Sequence, residues 1–220
     1  MKIAVLTANV GNFEKPVTYV PQTMEYHFYE FNDLNFPRRN CSMTPRLQAR
    51  IPKMFGWQMA PGYDVYIWVD SSYSLQNKNS VKWFMDQLGD FDIALFKHPT
   101  RGTIKQEAEH IHDQLEKGCP YITPRYENEL LSEQLKAIYS DLNYSDSLLF
   151  ASTAFIYRNI EKVRNMLKEW WYHTSRFHSV DQLALPYVVW QYKLKVKMIE
   201  TPRNNSSKII SHYLTKTRKS

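Results

Sequence analysis

Five consecutive residues, Val65-Tyr66-Ile67-Trp68-Val69, are all apolar or aromatic, and three of them are β-branched. A strand with one wet face alternates apolar with polar residues. An unbroken run of this kind reads instead as a strand buried on both faces, the usual state of a central strand in a sheet covered by helices. Pro61-Gly62 punctuates the chain just before it, and Asp70-Ser71-Ser72 follows at its carboxyl end. In open α/β sheets, ligands bind outside the carboxyl ends of strands. Asp70 therefore has two readings: it holds a divalent cation and through it a diphosphate, or it caps the turn into Ser71-Ser72.

The rest of the chain supplies partners for that strand. Residues 2–6 read as an opening strand and residues 7–12 as the polar, small-residue loop that leaves it, where Thr7, Ala8 and Asn9 allow close backbone approach to a ligand. Residues 24–31, 91–96, 147–157 and 195–199 read as further strands. Between them lie helical patterns over residues 79–88, 103–117 and 127–139, with apolar positions at helical spacing. Thr44-Pro45 opens another helix, in which Pro52 predicts a break or kink. Asn159 reads as the cap of a helix whose buried stripe includes Val163, Leu167, Trp170 and Trp171. Strands alternating with helices predict an α/β fold with a mixed, mainly parallel sheet flanked by helices, in one domain over residues 1–220.

Composition narrows the function classes. A hydrophobic share of 43% with 15% aromatics is that of a globular chain, not a disordered one. No run of about eighteen apolar residues exists, so no membrane span is expected. The first residues lack a signal-peptide cleavage pattern. Cys41 and Cys119 are far apart without metal-type spacing, which argues against a structural zinc site and suits a cytoplasmic setting. The net charge of +6, with a pI near 9.1, is spread along the chain and densest between Lys208 and Lys219. Such a diffuse excess suits binding of phosphorylated small molecules better than dedicated nucleic-acid binding.

Several side chains carry candidate chemistry. Arg46, Arg50 and Lys53 fall at helical spacing and share a face, either as solvated charges or as the lining of an anion pocket. His98 ends the 91–96 strand, as a ligand or proton donor or as a packed, hydrogen-bonded histidine. His110 and His112 are two apart and do not face one another, so they are no zinc pair. Ser179 and Gln182 have capping-box spacing, which puts Asp181 in a first helical turn, where the helix dipole stabilises a carboxylate. Pro186 predicts a kink soon after.

Taken in order, the opening strand with Thr7-Ala8-Asn9, the Tyr-Ile-Trp-Val-Asp-Ser-Ser segment at Asp70, Lys97-His98-Pro99, Ala151-Ser152-Thr153-Ala154 and Asp181-Gln182 resemble GT-A-fold glycosyltransferases. That family includes capsid-glycosylating domains of chlorella viruses and bacterial and plant domains with a Trp-x-Asp strand end. The resemblance implies a UDP-sugar donor, a glycan or glycoprotein acceptor (a viral capsid glycoprotein among the possibilities) and Mn²⁺ or Mg²⁺. The family's Asp-x-Asp metal motif reads Asp70-Ser71-Ser72 here, without the second acid. Ser72 and His212 are then the further metal candidates beside Asp70. The same resemblance assigns Thr7, Ala8, Asn9, Arg50, Lys53, Asp70, Ser71 and Lys208, or Lys216 in its place, to the donor. It makes Asp181, with His98, the catalytic candidates, Asp181 as the carboxylate facing sugar or acceptor. The missing acid leaves two other classes open: a non-catalytic nucleotide-binding domain and a basic nucleic-acid-binding module.

Overall fold

The computed structural model describes residues 1–11, 19–39, 42–200 and 213–216. Its centre is a six-stranded sheet in the order β2-β1-β3-β6-β5-β7. The strands are β1 (Ile3–Asn9), β2 (His27–Asn32), β3 (Val65–Val69), β5 (Ile93–Lys97), β6 (Phe150–Arg158) and β7 (Val196–Ile199). The β1–β2, β1–β3 and β5–β7 pairs are parallel. Only β6 runs the other way, between β3 and β5. The fold is thus α/β with a mixed, mostly parallel sheet flanked by helices, as the sequence predicts. Two short strands, β4 (Tyr73–Ser74) and β8 (Thr215–Lys216), form a separate antiparallel pair just after Asp70.

All five residues of β3 are buried. Val65, Ile67 and Val69 join one core, which also holds Val81, Phe84 and Leu88 of α2 (Ser80–Leu88). Tyr66 and Trp68 point to the other face, into a core shared with α1 (Pro45–Met59), α3 (Ile104–Glu116), α6 (Glu161–Arg176) and α7 (Leu185–Gln191). Helices cover both faces, so neither tolerates polar alternation. A register shift between Leu95 and Phe96 in the β5–β6 pairing resets the parity of β6. Phe150 therefore packs in the same core as Phe155 and Tyr157. Such irregularities re-aim side chains, and here Ser152 reaches the side of the sheet that carries Asp181.

Helix α1 lies close on β1. A Cβ added to Gly56 would sit 2.1 Å from Leu6 Cδ1, so a larger residue here would force the Leu6 side chain or the helix to shift. Thr44 caps α1 by accepting the Leu47 N–H, and Pro45 occupies the first turn.

The structure corrects several local expectations. Thr7, Ala8 and Asn9 belong to strand β1 rather than a loop, and β2 begins at His27 rather than residue 24. Helix α1 runs past Pro52 to Met59 without a break. The 127–139 helix is shortened to α5 (Leu131–Tyr139), and a separate short helix, α4 (Thr123–Tyr126), precedes it. Asn159 is not a cap: its amide donates to the Tyr63 carbonyl, and α6 starts after Ile160. No capping box forms at Ser179, because Glu129 accepts both its backbone N–H and its hydroxyl. Gln182 instead donates to Glu107. Residues Asp181–Leu183 form a 3-10 turn, and Pro186 sits in the first turn of α7, where proline fits without a kink.

Candidate functional site

The carboxyl ends of β1 and β3 open into a cleft of about 500 Å³. Ala8, Asn9 and Val10 line it from β1, and Trp68, Asp70, Ser71 and Ser72 from β3 and its turn. The amino end of α1 supplies Thr44, Arg46 and Arg50. A wall from the stretch before α5 supplies Tyr121, Arg125 and Tyr126. Arg46 donates to the Tyr126 hydroxyl at 2.7 Å, and the Arg125 guanidinium lies 3.3 Å from the centre of the Tyr121 ring. Three guanidinium groups and one carboxylate thus share the lining, an electrostatic character suited to an anionic ligand.

Behind this lining runs a row of alternating charges. Asp70 Oδ1 accepts the Trp68 indole N–H at 2.7 Å and lies 3.3 Å from Lys53 Nζ. Lys53 Nζ lies 2.8 Å from Asp181 Oδ2, which is 2.9 Å from Arg50 Nε. The Ser152 hydroxyl donates to Asp181 Oδ1 at 2.7 Å, and the Trp170 indole donates to the Asp181 backbone carbonyl. Lys53 is 0% exposed and Asp181 4%. At the two ends, Asp70 and Arg50 retain side-chain exposures of 28% and 16%. Burial pushes the Asp181 carboxyl up, but Arg50, Lys53 and the Ser152 hydroxyl outweigh it and hold the group below the usual carboxylate range. Arg50 is shifted upward against its burial, chiefly by Asp181 and Asp70.

The sequence-chosen residues divide in space. Ala8, Asn9, Arg50, Asp70, Ser71 and Ser72 meet in the cleft. Lys53 and Asp181 lie behind its lining, and Thr7 is buried within β1. His98 is not among the cleft-lining residues. Its Nδ1 accepts the Arg101 backbone N–H, and Arg101 in turn contacts Glu107. Burial and the neighbouring Arg101 lower the His98 pKa. Lys208 and His212 lie outside the described residues, as does the side chain of Lys216. Sequence reasoning missed the wall of Tyr121, Arg125 and Tyr126. Its signal is the Pro120 and Pro124 punctuation around a Tyr- and Arg-rich stretch.

A divalent cation fits the donor set at Asp70. Oδ1 is engaged by Trp68 and Lys53, whereas Oδ2 takes neither contact, and Ser72 lines the same cleft. Hard oxygen donors of this kind suit Mg²⁺ or Mn²⁺, which at nucleotide sites take one or two carboxylates and fill the remaining positions with phosphate and water. Among the described residues, no group of three or more His, Cys, Asp or Glu side chains could hold a metal ion. A cation here would therefore rest on few protein ligands. No helix among the described residues is long and apolar enough to cross a membrane.

Residues 38–212 match the family model described as the TOD1/MUCI70 glycosyltransferase-like domain. The chain belongs to the TOD1/MUCI70 family. The TOD1/MUCI70 match takes in α1, the Asp70 turn, the Tyr121–Tyr126 wall and Asp181, while β1 and β2 precede it. The glycosyltransferase resemblance read from the sequence is borne out at this level. Among solved structures, the TOD1/MUCI70 domain is similar to a glycosyltransferase involved in glycosylation of the major capsid of PBCV-1, at 9% identity and a TM-score of 0.48, covering 100% of this chain and 96% of that one. It is also similar to CMP:2-keto-3-deoxy-manno-octonic acid synthetase complexed with CTP, at 11% identity and a TM-score of 0.43, covering 92% and 90%. A search of curated proteins returns no match.

Proposed function

We propose that the chain is a hexosyltransferase that moves a sugar from a UDP-sugar donor to a hydroxyl of a glycan acceptor, with Mn²⁺ or Mg²⁺ as cofactor. The observation that carries this reading is the placement of Asp70 and Ser72 in one cleft with the end of β1 and three arginines. Ala8 and Asn9 line the position for base and ribose, where a strand end lets backbone approach closely. Asp70 and Ser72 are the residues that would hold the cation, which when bound supplies Lewis-acid charge to the diphosphate. Arg46 and Arg50 offset negative charge on the departing nucleotide. Asp181, paired with Arg50 and Lys53, suits fixing these cations better than accepting a proton from the acceptor.

A second reading, nucleotide binding without transfer, draws on that pairing of Asp181. Both are tested by the melting temperature with UDP and a panel of UDP-sugars, each with and without Mn²⁺, followed by donor turnover with a glycan acceptor. A ligand that binds only the native state raises the melting point. The transferase reading expects a rise with UDP, a larger rise with Mn²⁺, and sugar transfer. Binding without turnover favours the second reading. No rise with any nucleotide, together with nucleic-acid affinity that falls steeply with salt, would sink both.

A further inference from the structure

We propose that Lys53 is a positioning residue of this cleft: from behind the lining, it holds Asp70 in the orientation in which Asp70 meets a ligand. The ligand half of this inference rests on the donor-binding reading above.

Lysine is among the side chains least often fully buried, and its burial demands charged partners. Lys53 is 0% exposed and has two, Asp181 at 2.8 Å and Asp70 at 3.3 Å. The rings of Trp68 and Trp170 lie 5.7 Å from its ammonium on either count. Neutralising Asp181 does not by itself account for Lys53, because Arg50 and Ser152 already contact that carboxylate. The second contact is what distinguishes it. Lys53 and the Trp68 indole both converge on Oδ1 of Asp70, and this leaves Oδ2 uncommitted to either. Lys53 also separates the two carboxylates electrostatically. Without the ammonium, Asp70 and Asp181 would face one another as like charges in a poorly solvated site, and Asp70, the more exposed of the two, would swing toward water. Helix α1 provides the geometry, since Arg50 and Lys53 are three residues apart on one face. One helix therefore delivers a guanidinium to the cleft and an ammonium behind it.

The test compares Asp181→Asn with the double variant Lys53→Met/Asp181→Asn, which removes both buried charges together. The Trp68 indole N–H, assigned through Trp68→Phe in ¹⁵N-labelled protein, reports on Asp70 because it donates to Oδ1. Asp181→Asn alone should leave this resonance in place, since Lys53 still holds Asp70. The double variant should move it upfield and weaken UDP binding by calorimetry about tenfold relative to Asp181→Asn, equivalent to about 1.4 kcal/mol. An unmoved Trp68 resonance, or UDP affinity equal to that of Asp181→Asn, overturns the assignment. If the double variant does not fold, Lys53→Arg carries the same two readouts, because a planar guanidinium cannot place its charge as the ammonium does. A wild-type chain that binds no UDP would refute the donor reading alone, and the indole resonance would still decide the role of Lys53.

Discussion

Arg50 Nε and Asp181 Oδ2 meet at 2.9 Å, which ties helix α1 to a 3-10 turn far along the chain. The contact closes the buried charge row on its cleft side, with Lys53 on the other flank of the same carboxylate. Removing Asp181 therefore leaves a fully buried ammonium with only its longer, 3.3 Å contact to Asp70, and takes the carboxylate partner from Arg50. Asp181→Ala is expected to lose about 3–5 kcal/mol of stability, the usual penalty for breaking a buried pair from one side. Asp181→Asn, which keeps a side chain able to accept from Ser152, should lose less. Urea denaturation at neutral pH checks the ordering, and equal stability of Asp181→Ala and wild type would refute it.

Asp70 differs because it is partly solvated and Lys53 keeps its closer partner, Asp181, when Asp70 is changed. Asp70→Asn should leave the melting temperature close to wild type. It should also remove the added stabilisation that Mn²⁺ gives to the UDP complex, with a loss of UDP affinity of about tenfold or more, since the uncommitted carboxylate oxygen is the cation's main protein ligand in the proposed site. Calorimetry of UDP with and without Mn²⁺ on the two proteins decides it. An unchanged Mn²⁺ dependence would remove Asp70 from cation binding.

The features legible in the sequence were those set by local periodicity. The unbroken Val65–Val69 run forces a doubly covered strand, and the run's end marks the cleft. The spacing of Arg46, Arg50 and Lys53 likewise places them on one helical face. What stayed hidden depends on contacts between distant segments. Ser179 and Gln182 have the spacing of a capping box, but Glu129 and Glu107 capture them, and nothing local announces that competition. Asp181 looks like a helix-start carboxylate until Arg50, Lys53 and Ser152 arrive from two other elements. The Tyr121–Tyr126 stretch looks like plain turn chemistry, and only the tertiary fold turns it into a cleft wall.

The approach of α1 to β1 makes a prediction with two opposing terms. Gly56→Ala gains about 1 kcal/mol of helix propensity. Its methyl would meet Leu6 Cδ1 at 2.1 Å, however, in a core where Leu6 is 0% exposed. Overpacking of this kind costs about 1–3 kcal/mol, so a net loss is expected. In a Leu6→Ala background the obstruction is gone, and the same substitution should become neutral or stabilising. The sign of the coupling in this double-mutant cycle is the measurement, and additive effects would show that the contact is relieved at no cost.

Two buried histidines give the chain an acid-side stability slope. Burial lowers the pKa of both His173 and His178 to about 4. His178 accepts the Val180 N–H on Nδ1 and stacks on Tyr126 of the cleft wall, with ring centres 5.3 Å apart. In the unfolded chain a histidine titrates near 6.5. Between about pH 6.5 and 4 the unfolded chain therefore binds protons that the folded chain excludes, and stability falls as the pH falls through that window, by at most about 1.4 kcal/mol per pH unit for each proton. Above 6.5 neither histidine contributes a slope. The Asp181 carboxyl, held low by its cationic partners, loses its contribution only at still lower pH, so the two effects separate. Denaturation curves between pH 4.5 and 7.5 should show this decline, and replacing His173 and His178 by glutamine should flatten it. A slope that survives both replacements would place the responsible groups elsewhere.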